Sequence, residues 1–448
     1  MNIKVISLCD KTVAFSLYLL IFSLPFSKAG ISIFFVLGAA AWLGKRIAGF
    51  RTDGFKGIVP LTSLNKAFAV FLVLNIISVI FSIDVGESLS AFFSKTLKFL
   101  VIFLMMIETI NSEQRVKKVL WALFFSGVIL GADSVYQLVN GVDFLKGYDY
   151  ENRLRASFSS GNGLAGWLIV VLSVFLGWLK RPEEKRSVKA VLGLMTLFLF
   201  FCLVMTYSRG GWLGFFISFL VAAAYILVKA SWKQRLSYFI AAFSLVLLFV
   251  LLPQSTKVQI NEISKFKFIY NDTLTARIKS IFDIHSDSTP LRLKLWQESL
   301  NIIKDHPLTG CGLNTYSIIA KKYKSFEGGG VYPHNSFLQM TAEIGIPGVL
   351  AFLWILFSFF RTSLMYLKQY EDYLLMGAVS ASLGFLIQAF FDTHFFSLQM
   401  VVLFWFMFGL ATALVKTRSR ESNAFENKGH ADNHRAGIIK LEETQKLA

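Results

Sequence analysis

From Val13 to Val415 long apolar runs alternate with short polar punctuation, and most runs approach the roughly 20 residues a helix needs to cross about 30 Å of hydrocarbon. Apolar residues follow one another without the strict alternation of a barrel strand, so the pattern predicts helices. Window length places spans at roughly 12–26, 29–44, 65–82, 89–107, 117–137, 161–179, 189–206, 211–229, 236–252, 346–364, 373–391 and 395–416. The expected fold is all-α: a polytopic membrane protein of about 12 transmembrane helices over residues 1–416. A large, partly helical loop, 253–345, falls between the ninth and tenth spans, and 417–448 read as a polar, disordered tail.

Polar punctuation also sets orientation. Every second connection is basic: Lys45, Arg46, Arg51 and Lys56; then Arg115, Lys117 and Lys118; then Lys180, Arg181, Lys185 and Arg186; then Lys229, Lys233 and Arg235; then Arg361 and Lys368; then Lys416, Arg418 and Arg420. The positive-inside bias puts these loops and both termini in the cytoplasm. Lys4 and Lys11 ahead of an apolar run imitate a signal peptide, but the spans that follow make this run the first retained one. Facing outward are the acidic turn with Asp84 and Glu87, the segment 138–160, the turn Tyr207–Gly210, the long loop, and the turn Asp392-Thr393-His394.

Composition narrows the class. At 55% hydrophobic, 16% charged and a mean hydropathy of +0.57, the chain is too apolar for a soluble protein of 448 residues. The net charge of +17 is scattered through short loops, so it reads as membrane topology, with no nucleic-acid partner. Cys9, Cys202 and Cys311 are too dispersed for a disulfide framework, and no cluster has metal-ligand spacing, so neither a metal nor another cofactor is expected.

The candidate chemistry gathers in the outward loops. Arg209 interrupts two apolar runs on the side where basic residues are disfavoured, and Gly210 and Gly211 allow a ligand or a helix to approach its backbone. It reads as an anion ligand, against the plainer reading of an arginine reaching for headgroups. Arg153 and Arg155 precede the run at 161, which Asn162 is placed to cap, and Arg277 and Arg292 lie in the long loop. Several guanidinium groups converging on one cavity would suit a diphosphate, although each taken singly also fits a solvated charge. Leu291, Leu295, Trp296, Ser299 and Ile303 predict an amphipathic helix over 290–304, opened by Arg292 and ended by Pro307. His334, in Tyr332-Pro333-His334-Asn335-Ser336, is the histidine best placed for a general base; His306 and His394 are its rivals. Asp392 is placed to orient a histidine or pair with an arginine. A helix is expected after Ser336, with Ser336 and Gln339 as a capping box, Gly345 as its stop and Pro347 at the start of the next span.

Three segments then carry a resemblance: Thr206-Tyr207-Ser208-Arg209-Gly210-Gly211; Arg292 and Trp296 followed by Pro307-Leu308-Thr309-Gly310-Cys311-Gly312-Leu313-Asn314; and Pro333-His334-Asn335-Ser336-Phe337-Leu338 running into Glu343-Ile344-Gly345-Ile346-Pro347-Gly348. In this order the chain resembles the O-antigen ligase and polymerase superfamily over roughly 150–395. The resemblance implies transfer of a glycan from an undecaprenyl diphosphate carrier at the periplasmic face of the bacterial inner membrane. Lipid A–core oligosaccharide is the acceptor in the ligase branch, another carrier-linked repeat is the acceptor in the polymerase branch, and related members use protein hydroxyls or other polymers. It carries the essential arginines onto Arg209 and Arg292 and the histidine onto His334, with Arg153, Arg155, Arg277, Asn335 and Asp392 as further binding candidates. Ten residues separate Arg155 from Gly166, a spacing associated with polymerases, whereas the large loop with His334 favours a ligase. A transporter for the lipid-linked glycan would place its charges near the midplane rather than at span ends.

Overall fold

The computed structural model describes residues 2–53, 60, 62–150, 153–233, 235, 288–324 and 332–419. Its first eight helices are α1 (Asn2–Ser23), α2 (Lys28–Asp53), α3 (Asn65–Ile80), α4 (Val85–Thr109), α5 (Glu113–Asn140), α6 (Gly161–Leu179), α7 (Arg186–Met205) and α8 (Arg209–Lys229). After the long connection come α9 (Ser288–Asp305), α10 (Tyr316–Tyr323), α11 (Ser336–Gln369), α12 (Tyr373–Ala389) and α13 (Leu398–Ser419). Among the described residues there is no β-strand beyond an isolated antiparallel bridge between Val142 and Asp149.

Eleven of the expected spans fall on helices, and the one at 236–252 lies outside the described residues. Among the described residues nine helices are long and apolar enough to cross a membrane, while α3 and α12, with 16 and 17 residues, are shorter. Among the described residues, nine long helices and two short ones thus stand at eleven of the about twelve expected spans. The amphipathic helix at 290–304 appears as α9. The last helix continues to Ser419, so the first residues assigned to a tail are helical: Thr417 Oγ1 donates to the carbonyl of Ile110 at 3.1 Å.

A helix that is apolar all round belongs in the centre of a bundle. α6 is such a helix: Trp167, Phe175 and Trp178 are fully buried along it, and it packs against α7, α8 and α12. Leu194 (70%), Val228 (72%) and Phe357 (65%), by contrast, are exposed large apolar side chains, as a bilayer-facing surface requires.

The two ends of the bundle differ. At one end Lys45 bridges Asp10 at 2.7 Å and Glu108 at 3.2 Å, Arg46 pairs with Glu108 and Arg115 with Asp10. There Arg181 pairs with Glu113 and Glu183, and Arg418 with Asp372 at 2.9 Å. At the other end Ser157 Oγ donates to the carbonyl of Pro25 at 2.9 Å, and Gln399 Nε2 donates to the same carbonyl at 2.9 Å. This ties the segment before α6 and the start of α13 to the α1–α2 turn.

Two of the sequence segments lock together at this second end. The amides of Cys311 and Gly312 donate to the carbonyls of Ala342 and Glu343 at 2.8 and 2.9 Å, and the amide of Ile346 donates to that of Pro307 at 2.8 Å. Gly345 breaks α11 with φ +72°, and a Cβ there would stand 2.3 Å from the carbonyl oxygen of Leu308. Only glycine meets both demands. The expected stop at Gly345 is met: α11 is two helical segments joined at a kink there, with Pro347 in the first turn of the second.

Candidate functional site

Arg153, Arg209, Arg292 and Asp392 line one cavity of about 210 Å³, together with Asn162, Tyr207, Ser208, Gly210, Gln388 and Phe391. Arg209 is the first residue of α8, and Ser208 caps that helix by accepting the amide of Gly211 at 3.2 Å. Three guanidinium groups and a helix N-terminus therefore face one space, and both kinds of group favour an anion. The two glycines divide their work. Gly210 lines the cavity, whereas a Cβ on Gly211 would lie 2.7 Å from Cβ of Ala165, so that glycine admits α6 instead.

Asn162 organises the wall. Its Nδ2 donates to Asp392 Oδ2 at 2.7 Å, and its Oδ1 accepts from Arg153 Nη2 at 2.7 Å and Ser208 Oγ at 2.9 Å. Its carbonyl accepts from Gln388 Nε2 at 2.8 Å. The expectation that Asn162 caps α6 is wrong: Ser160 caps it, accepting the amide of Gly163 at 3.1 Å, which frees the Asn162 side chain for the cavity.

His334 joins this site through Asp392. Its Nδ1 lies 3.3 Å from Asp392 Oδ1, while the Asp392 carbonyl accepts from Ser336 N at 3.1 Å and Ser336 Oγ at 2.7 Å. Trp296 Nε1 donates to the carbonyl of Pro333 at 2.9 Å, which fixes the preceding turn from α9. His334 has φ +48° and Tyr207 φ +49°, a conformation that costs a non-glycine residue about 1–3 kcal/mol and that clusters at functional sites. In the tautomer that donates Nδ1–H to Asp392, Nε2 carries the free lone pair, on a side chain 42% exposed. Burial opposes ionisation of Asp392. The His334 hydrogen bond, the positive field of His394 and the Thr393 amide outweigh it and hold the carboxyl well below the usual carboxylate range.

The remaining candidates are placed differently. Asn335, not Ser336, caps α11, accepting from Phe337 N at 3.0 Å and Leu338 N at 3.1 Å. Gln339 Nε2 donates to Glu343 Oε1 at 3.2 Å, so the expected capping box does not form. Arg155 does not line the cavity; its Nε donates to the carbonyl of Asp149 at 2.9 Å and its guanidinium stands 5.2 Å from the centre of the Tyr148 ring. Arg277 lies outside the described residues. Of the rival histidines, His306 sits at the end of α9, away from the cavity lining, and His394 is buried in the turn after Asp392, where burial lowers its pKa against the pull of Asp392.

An arginine-lined cavity therefore lies at one end of a bundle of helices long and apolar enough to cross a membrane. Residues 194–353 match a family model described as O-antigen ligase; the matched segment contains Arg209, Arg292 and His334. Over those residues the chain is similar to the O-antigen ligase family, and the match together with the long apolar helices indicates a bacterial integral membrane protein. A search of curated proteins finds no match.

Proposed function

We propose that the protein is an O-antigen ligase, a glycosyltransferase that moves a glycan from undecaprenyl diphosphate to a sugar hydroxyl of lipid A–core oligosaccharide. In this reading the reaction takes place at the periplasmic face of the inner membrane, in lipopolysaccharide biosynthesis, and both termini are cytoplasmic. The supporting observation is that Asp392 belongs to both halves of the site: it lines the arginine cavity and it holds His334 Nδ1.

The chemistry follows from those placements. Arg209 and Arg292, with Arg153, hold the diphosphate and neutralise the charge that grows on it as the anomeric C–O bond lengthens. The acceptor hydroxyl attacks the anomeric carbon from the opposite side, and its proton passes to His334 Nε2. The new glycosidic bond forms with inversion as undecaprenyl diphosphate departs with the bonding electrons. Asp392 stabilises the resulting imidazolium. Diphosphate is already a good leaving group, so the step needs neither a metal nor a protonated leaving oxygen.

Purified protein given lipid-linked donor and acceptor, with chelator and without nucleotide, tests the reading by forming product. Arg209→Ala and Arg292→Ala should each lower the rate about a hundred- to a thousandfold without loss of folded protein. Arg209→Lys should not restore it, because lysine lacks the bidentate fork. His334→Ala should still bind donor yet form no product. Extension of a carrier-linked repeat in place of capped core would assign the polymerase reaction, and movement of donor across a bilayer without a new glycosidic bond would overturn the enzyme.

A further inference from the structure

A second cavity lies at the same end of the bundle and shares no lining residue with the first. Its polar end is formed by Lys95, Asn314 and Glu343, and its walls include Phe71, Phe352 and Trp405. Asn314 N donates to Glu343 Oε2 at 2.9 Å and Gln339 Nε2 donates to Glu343 Oε1 at 3.2 Å. Lys95 Nζ donates to Asn314 Oδ1 and stands 6.0 Å from the centre of the Phe396 ring. The interlocked segments 307–314 and 342–346, which the arginine cavity does not use, supply Asn314 and Glu343 to this second cavity.

Three features go beyond what packing requires. Lys95, like Lys98 three residues on, is a charged residue well inside a largely apolar helix, where such groups serve ligands or pathways, and of the two only Lys95 lines this cavity. It sits in the π-turn Phe92–Leu97, a helix irregularity that recurs at functional sites. Asn314 holds φ +61°, in the left-handed region. An ammonium has three N–H donors, and among the described residues Asn314 is the hydrogen-bond acceptor for one, which leaves donors for an anionic oxygen.

We infer, on the basis of the ligase reading, that this cavity seats a hydrocarbon chain of the lipid-anchored acceptor, with an anionic group of its headgroup at Lys95. Polarity along the cavity runs the right way. On α4, Phe99 follows Lys95 by one turn away from the acidic turn at Asp84, and on α11, Phe352 follows Glu343 away from His334. The head therefore lies toward the site and the tail toward the bundle centre, as for a lipid in that leaflet. The donor's diphosphate belongs to the other cavity. The two are separated by the turn that offers Asp392 to one and Phe396 to the other, and α11, which begins beside His334, leads into the second. An acceptor held there presents its sugar to His334 from the side opposite the arginines.

Transfer kinetics of the full-length protein test the inference. Ala91, 4% exposed, lines the cavity, so Ala91→Phe should raise KM for acylated acceptor about tenfold and move KM for donor less than twofold. Lys95→Met should raise KM for phosphorylated acceptor, and removal of the acceptor's phosphates should abolish the difference from wild type. A raised donor KM would assign the cavity to the polyprenyl chain, and unchanged KM values for both substrates would make it structural; either overturns the inference. Cross-linking of wild type by an acceptor with a diazirine in its acyl chain decides the matter without a variant. Adducts at Phe71, Phe99 or Trp405 support the site, and adducts confined to other residues sink it. Absence of product in wild type would fault the ligase reading itself, while the cross-linking result would still judge the cavity.

Discussion

Asp392 shows how much one carboxylate can organise. One oxygen faces His334, the other accepts from Asn162, and the main-chain carbonyl holds Ser336, so the proposed base, the arginine cavity and the start of α11 share a single anchor. Asp392→Asn keeps the shape and removes the charge, and kcat should fall about a hundredfold or more while donor binding persists. The sign of its pH linkage is set by the depressed pKa: the ionised group contributes stability above the ordinary carboxylate value of about 3.9, lost as pH falls through the lower folded value. Thermal unfolding of wild type in detergent should therefore drop more steeply between pH 5 and pH 3 than that of Asp392→Asn, and parallel curves would refute the linkage. That Arg209, Arg292 and His334 would gather at one place was legible in the sequence: Arg209 breaks the charge bias, His334 stands in a loop before a helix start, and Arg292 opens the amphipathic helix and carries the family resemblance. Asn162 was not, since a polar residue near a helix start reads as a cap and nothing local points to a partner 230 positions away. The Arg155–Gly166 spacing also gains a local cause on the glycine side: a Cβ at Gly166 would stand 3.0 Å from His394 Nε2 and 3.1 Å from Gln388 Oε1.

Among elements, the apolar pattern located helices well and their ends less well. Hydropathy finds the residues that must be buried or face lipid, but the end of a helix depends on which side chain reaches the free amides, and that is tertiary. Asn335 takes the α11 cap because Ser336 is engaged by Asp392, a competition that adjacent residues cannot reveal. The kink was readable from Gly345 and Pro347, whereas its purpose needed the partner segment. Gly345→Ala should destabilise the fold by about 1–3 kcal/mol from the left-handed backbone alone, and more from the 2.3 Å approach to Leu308 O. A lowered melting temperature with loss of transfer is expected. An unchanged melting temperature would mean that the 307–314 segment does not seat against α11.

For the whole molecule, four of the six basic connections, through Lys45 and Arg46, Arg115, Arg181 and Arg418, meet at one end in the ion-pair groups around Asp10, Glu108, Glu113 and Asp372, and the arginine cavity lies at the opposite end of α6 and α12. Half-buried and buried ion pairs give back in desolvation much of what they gain, so folding alone does not call for this many basic residues at this end; the positive-inside bias offers a reason for them. In the proposed orientation the cavity arginines are the exception to that bias, as an anion site on the translocated side would require. Leu308, 72% exposed and set against Gly345, and Lys368, near the opposite end of α11, mark the two faces. In a chain whose native cysteines are replaced, Leu308→Cys should react with an impermeant maleimide in intact spheroplasts, and Lys368→Cys only after permeabilisation. Cys9, restored alone, should behave like position 368, because it adjoins Asp10 in the ion-pair cluster. Labelling in the reverse order would put the arginine cavity in the cytoplasm, where the acceptor proposed for it is not presented on the periplasmic face, and would end the ligase reading along with the topology.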